Sequence, residues 1–387
     1  MIFKNRKFGD LISNLMLSLG SICFFIVLAE LSFRLLGIGG MPYEQPRYLY
    51  RTSDTLGYEF IPGAKKIYKT DFNFNTKIKI NSLGLRDHEY AYEKPAGTLR
   101  ILILGDSFTA GFQVDLEDTY PKVLDKILSN YVPKNYKYEV INSGVCGYDT
   151  VQEFQFLKER GYKFKPDIVV VGFLMSNDVE DNFYGSNMTV IDGWLAFKKN
   201  KASNNFLVNL KTFVKRYSRL YNFITNRIKD VSFARVLLTK MKIVSPDLLT
   251  YNLDLYSNLP NEKIEKEWES TRLVLREINN FVKNMHSKLL VVAFPCQYQV
   301  EKGRWELIME QYKMKKEDYD IDKPQKILID IADKEGIPVL DLTDSFRIHA
   351  SKGEHLYIES EYHWNKAGHY YAAEEIYNFL KDDKWLN

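Results

Sequence analysis

Five short apolar runs constrain the fold more than any other feature of the chain. They are RILILG (100–105), YEVINSG (138–144), DIVVVGF (167–173), KLLVVAF (288–294) and IPVLDL (337–342). Their hydrophobicity is continuous rather than alternating, and β-branched residues dominate. A strand with one wet face alternates, whereas a continuous run suits a strand covered on both faces, as in a parallel sheet between helix layers. Helical segments separate the runs, so right-handed crossovers are expected. The expected fold class is α/β: a three-layer, doubly wound parallel sheet. Its functional site should lie at the carboxyl ends of the strands.

The 387 residues are 45% hydrophobic and 27% charged, the balance of an ordinary folded chain, which excludes a disordered tail or a collagen-like fibre. Three scattered cysteines (Cys23, Cys146, Cys296), none in a CxxC pair, exclude a disulfide framework and argue against a thiolate zinc site. From Leu11 to Ala29 the chain carries no charge. At about 1.5 Å per residue that run reaches roughly 28 Å, close to the hydrocarbon thickness of a bilayer. Lys4, Arg6 and Lys7 precede it, so the positive-inside rule keeps the N-terminus cytoplasmic and exports the rest. No small-x-small cleavage site follows, which favours a retained anchor over a removed signal peptide. Glu30 and Arg34, one helical turn apart, can pair near the outer interface. The expected organisation is a cytoplasmic N-terminus (1–9), a transmembrane anchor (10–38), an extension with short strands (39–97) and an extracytoplasmic main domain (98–387). The extension's Lys77-Ile78-Lys79-Ile80 has the period of two of a strand.

Between the third and fourth runs lies an insertion at about 183–260, expected to be helical. Phe206, Leu210, Phe213, Tyr217, Leu220, Ile224 and Ile228 recur every three or four residues, the stripe of a long amphipathic helix. Lys211, Lys215, Arg216, Arg219, Arg227 and Lys229 occupy its other face. Between Gly193 and Pro246 stand twelve Lys/Arg and one acid, Asp230, in a chain whose net charge is only +3. The segment is either a lid with a solvated basic face or a surface for anionic lipid or an acidic polymer.

Four stretches carry candidate chemistry. The first run ends in Gly105-Asp106-Ser107, where a turn can expose a serine beside backbone donors or simply cap a helix. The second ends in Asn142-Ser143-Gly144, where a glycine lets a backbone N–H face a site. The third ends in Asn177-Asp178, an Asx turn or a side-chain donor to an oxyanion. Near the C-terminus stands Glu361-Tyr362-His363-Trp364. His363 and His369, six apart, lack the helical spacing of a metal pair. A phosphate-binding loop fits poorly, because no Lys-Ser/Thr follows the glycines. No cofactor, metal or nucleic acid is expected.

Taken together, a Ser, a Gly and an Asn at three successive strand ends, followed by a late His, resemble the SGNH hydrolases, also called the GDSL lipase/esterase family. The resemblance covers roughly 100–380 and implies an SGNH/flavodoxin-like sheet. It further implies Ser107 as nucleophile, His363 as its general base, and the Ser107 and Gly144 amides with the Asn177 side chain as oxyanion hole. The family usually places an Asp two or three residues before the His. Here Ser360 and Glu361 hold those positions, leaving Glu361 as the implied orienting acid and Glu359 as the fallback. Asn81-Ser82-Leu83-Gly84-Leu85-Arg86 resembles a stretch found upstream of the Gly-Asp-Ser motif in membrane-anchored members; it has no assigned chemical role here and is expected to be a glycine turn that packs the extension onto the catalytic domain.

Three functions stay open at this level. The first is an extracytoplasmic ester hydrolase working through an acyl-enzyme on acyl or acetyl esters of a glycan or lipid. The second is an O-acyltransferase that passes the acyl group to a cell-envelope polysaccharide. The third is a non-catalytic envelope-binding protein on the same scaffold.

Overall fold

The computed structural model describes residues 2–36, 45–69, 75–131, 137–185, 188–197, 210, 213–214, 217–229, 252–358 and 361–386. These divide into two compact units.

The first unit contains helix α1 (Ile2–Leu36) and helix α6 (Arg219–Lys229). Ser13–Leu36 of α1 has a mean hydropathy of 2.1 and none of it is buried, so it is long and apolar enough to cross a membrane. The expected pair forms, with Arg34 Nε donating to Glu30 at 2.8 Å. Glu30 also accepts the Arg219 and Leu220 amides at 3.1 and 3.0 Å and the Ser218 hydroxyl at 2.9 Å. It therefore caps α6 from 188 residues away in sequence. The single helix expected across 206–228 instead restarts at Arg219, where those two amides bond Glu30 rather than a preceding turn. Lys211, Lys215 and Arg216 lie outside the described residues.

The second unit holds the sheet. Before it come two antiparallel pairs, β1 (Tyr50–Ser53) with β2 (Gly57–Phe60), and β3 (Lys65–Lys69) with β4 (Asn75–Lys79). The expected alternation is visible in β4, where Thr76 and Ile78 are buried and their neighbours exposed. The central strands are β5 (Thr98–Leu104), β6 (Lys137–Asn142), β7 (Ile168–Leu174), β10 (Lys288–Phe294) and β11 (Val339–Asp341). All are parallel, in the order β11-β10-β7-β5-β6. The chain steps from β5 to one side, then returns to build on the other. That reversal opens a crevice at the strands' carboxyl ends.

Alternate residues along each strand enter different cores. Leu102, Val169, Val171 and Val291 pack with helices α4 (Thr150–Glu159), α7 (Glu262–Asn284) and α8 (Lys323–Glu335). Ile101, Ile103, Val170 and Val292 pack with α3 (Tyr120–Tyr131), α9 (Thr343–Ser351) and α10 (Lys366–Asp382). The architecture is the three-layer α/β sandwich that continuous apolar strands require. Short elements at the strand ends are α2 (Ser107–Ala110), α5 (Asp178–Tyr184) and the antiparallel pair β12 (Tyr357–Ile358) and β13 (Glu361–Trp364). The stretch beginning at 183 is not helical throughout: β8 (Met188–Ile191) and β9 (Trp194–Phe197) form a hairpin there. Gly193, at φ +80°, supplies the positive φ its turn needs.

Candidate active site

Four strand or hairpin ends meet at one corner of the sheet. β5 ends in Gly105, and a Cβ there would fall 2.0 Å from Thr109 Oγ1, so only glycine lets the chain turn this tightly into α2. Asp106 caps α2, its carboxylate accepting the Phe108 N–H at 2.9 Å. Ser107 opens the helix half-buried. Its Oγ stands 2.7 Å from His363 Nε2, although 256 residues separate the two. That distance is a hydrogen bond of the length required to pass a proton from hydroxyl to imidazole.

His363 lies on β13, which pairs with β12, and its ring packs against Phe108 (4.9 Å) and Tyr362 (4.4 Å). Asn365 closes this end by capping α10 through the Ala367 and Gly368 amides. The ring is therefore held by packing, and the backbone that follows it by a helix cap. Glu361 is on the same strand, two residues earlier; its side chain, and the whole of Glu359, lie outside the described residues.

Gly144 follows β6 and packs against α2. A Cβ there would meet Ala110 N at 2.5 Å and Thr109 C at 2.7 Å, so the absent side chain is a condition of the approach. Its N–H donates to Asn142 Oδ1 at 2.9 Å, and Asn142 Nδ2 donates to the Thr109 carbonyl at 2.9 Å. The Gly144 amide thus has a partner already and reaches an oxyanion only by sharing or exchanging that bond. Asn177 follows β7. The bond at this strand end belongs to its neighbour, Asp178 Oδ2 accepting the N–H of Leu174, four residues back, at 2.7 Å. The Asn177 amide is left to face the Asp106 carboxyl, which it stabilises. Burial nevertheless pushes that carboxyl up to about 6, against the bond from Phe108 and the field of His363.

His369 is a structural neighbour. It is fully buried, its Nδ1 accepts the Tyr120 N–H at 3.3 Å, and burial drives it down to about 3, so it stays neutral. No group of three or more His, Cys, Asp or Glu among the described residues is placed to hold a metal ion.

The sequence model of the GDSL-like lipase/acylhydrolase family matches residues 101–376, from within β5 to within α10. The chain belongs to that family. Its reaction class is accordingly ester-bond hydrolysis. Solved structures similar to this GDSL-like hydrolase include a lipase/acylhydrolase from Enterococcus faecalis, 13% identical, with 74% of this chain and 96% of that one covered at a TM-score of 0.40. Another is a catalytic mutant of Axe2, an acetylxylan esterase from Geobacillus stearothermophilus, 14% identical, covering 73% and 93% at 0.38. No curated protein sequence matches the chain.

Three residues beside the GDSL-like site escape a reading by motif. Arg86, Asp87 and Lys122 are charged yet 1–2% exposed, and Arg86 and Asp87 bond to the backbone of Ala110 and Asn142, neighbours of the two turns. Only Arg86 lay in a stretch that sequence reading singles out, and nothing in its spacing announces burial.

Proposed function

We propose that this GDSL-like hydrolase is a membrane-anchored serine esterase that works outside the cytoplasm through an acyl-enzyme, on acyl or acetyl esters of a glycan or lipid. The 2.7 Å contact between Ser107 Oγ and His363 Nε2 at the crevice carries the reading. As Oγ bonds to the ester carbonyl carbon, its proton passes to Nε2. The carbonyl oxygen becomes an oxyanion that the Ser107 amide, the Gly144 amide and the Asn177 side chain stabilise. Collapse breaks the bond to the alcohol oxygen, which leaves with the proton from His363. Water then repeats the sequence on the acyl-serine and releases the acid. Asp106, beside the imidazole, offsets its transient positive charge. A fluorophosphonate probe followed by mass spectrometry tests the reading directly. Labelling confined to Ser107 is the expected result, and labelling elsewhere removes the assignment.

The acid that orients His363 is assigned to Glu361 on spacing alone. Glu361→Gln is expected to slow ester turnover strongly, and Glu359→Gln to change it little. The opposite ranking, in a side-by-side pH–rate assay, transfers the role to Glu359.

Membrane anchoring is supported by the exposed apolar length of α1 and the basic residues before it. α6 is fastened to its last turns by the Glu30 cap and by Phe33 against Phe223 at 4.9 Å. Leu210, Phe213 and Tyr217, before the break at Ser218, and Ile224 after it are all more than 40% exposed. Carried on the unit that holds α1, these apolar residues suit contact with the headgroup layer. In proteoliposomes of the full chain carrying Cys23→Ser and a dye on Phe213→Cys, anionic lipid is expected to give an apolar dye signal. High salt, or charge reversal at Lys211, Lys215 and Arg219, should weaken it, at up to about 1 kcal/mol for each basic residue. A fully aqueous signal with anionic lipid restores the lid.

A further inference from the structure

The loop Asn81–Asp87 takes no part in the chemistry above, yet it delivers two buried charges to the site. Its shape is local. Asn81 Oδ1 accepts the Leu83 and Leu85 amides, both at 2.9 Å, and Gly84 turns the chain at φ +81°, where a side chain would be strained. Asn81 Nδ2 closes the far side on the His88 carbonyl at 2.7 Å. Arg86 and Asp87 are thereby aimed inward, in adjacent positions but toward different parts of the catalytic corner.

The Arg86 guanidinium reaches the end of α2. Nη1 donates to the carbonyls of Ala110 and Gly111, and Nη2 to that of Val114 at 2.7 Å, with Phe112 beneath the fork at 5.4 Å. α2 is one turn long, closed by the Gly111 N–H on the Ser107 carbonyl at 2.8 Å. A single turn cannot hold itself, and the carbonyls at its end have no helical partners. A planar fork of donors holds several of them in one fixed geometry, which the rotating donors of an ammonium on a flexible stem do not impose. Burial lowers this arginine only to about 10, so it remains a cation at neutral pH.

Asp87 serves the other wall. Its Oδ2 accepts the Asn142 N–H at 2.7 Å, and its Oδ1 pairs with Lys122 at 2.7 Å. Asn142 in turn bridges Thr109 of α2 to the Gly144 amide. One loop thus fixes the nucleophile's turn from its carbonyl end and the oxyanion turn from below.

We infer that the Asn81–Asp87 loop is a positioning element of the active site, Arg86 setting the place of Ser107 and Asp87, through Asn142, that of the Gly144 amide. This rests on reading Ser107 as the nucleophile. The extension before the catalytic domain is then part of the catalytic apparatus rather than a spacer to the membrane.

The full chain in detergent tests this with Arg86→Lys and, as a second variant, Arg86→Gln. Turnover of p-nitrophenyl acetate and fluorophosphonate labelling of Ser107 are both counted per folded molecule. Displacement of the nucleophile predicts a loss of about 10- to 100-fold in kcat and in labelling rate, with KM nearly unchanged. Arg86→Lys, which keeps the charge, should lose less than Arg86→Gln. Unmodified labelling and kcat per folded molecule in both variants would overturn the positioning role alone, because a residue needed only for folding changes the number of active molecules and not their rate. Failure of Ser107 to label in the unmodified chain would overturn the functional reading and this inference together.

Discussion

Ser107→Ala is expected to remove turnover of a short acyl ester by a factor on the order of 10⁴ to 10⁶, with the fold intact. Without Oγ no acyl-enzyme forms, and what remains is whatever the oxyanion donors do for direct attack by water. His363→Ala should fall in the same range, since the proton on Oγ then has no acceptor 2.7 Å away. The two losses should not add, because nucleophile and base act as one unit. A double variant no slower than either single one is therefore part of the expectation. Asn177→Ala should be milder, about 10² to 10³, as for one oxyanion donor among three. Activity above about a tenth of the unmodified rate in Ser107→Ala would remove it from the nucleophile's role, given the size of the expected loss.

The fold was legible because burial on both faces leaves a mark on each strand separately. The continuous runs at 100–105, 138–144, 167–173 and 288–294 overlap β5, β6, β7 and β10 almost residue for residue. The fifth run was read long. β11 spans only Val339–Asp341 before the chain turns into α9 at Thr343. The candidate site was legible where its proposed members sit at strand ends, since topology brings such ends together whatever their separation in sequence. Ser107, Gly144 and Asn177 are of that kind. Arg86, Asp87 and Lys122 are not, because surface and buried charges look the same in a sequence. What buries Arg86 is a match between its loop and carbonyls 24 to 28 residues further on, while Asp87 and Lys122 are buried against each other. Glu30 is a similar case. Its pairing with Arg34 follows from helical spacing, whereas its capping of α6 depends on contacts across 188 residues.

Beneath the catalytic corner, Lys122→Met is expected to cost about 3–5 kcal/mol of stability, the range for breaking a buried ion pair and stranding one charge. Lys122 Nζ bonds Asp87, the Tyr90 hydroxyl at 2.8 Å and the Val140 carbonyl, and both ionic side chains are essentially sealed from water. Burial already pushes the Asp87 carboxyl above its ordinary value, with Lys122 the largest opposing influence. Removing the lysine raises it further. A carboxyl whose folded pKa exceeds its unfolded one gives its full support below the unfolded pKa and loses it as pH rises through the folded value. The variant should thus be weakest at neutral and alkaline pH and regain stability on acidification toward the ordinary carboxylate range. Adding Asp87→Asn removes the stranded charge while an amide oxygen still accepts the Asn142 N–H. The double variant should recover more than half of the loss at pH 7 and show a flatter pH dependence. Thermal unfolding of the four proteins across pH supplies the cycle. If Lys122→Met melts like the unmodified chain at neutral pH, or if Asp87→Asn deepens the loss, the pair does not hold β6 to the nucleophile's turn in the way its 2.7 Å contact requires.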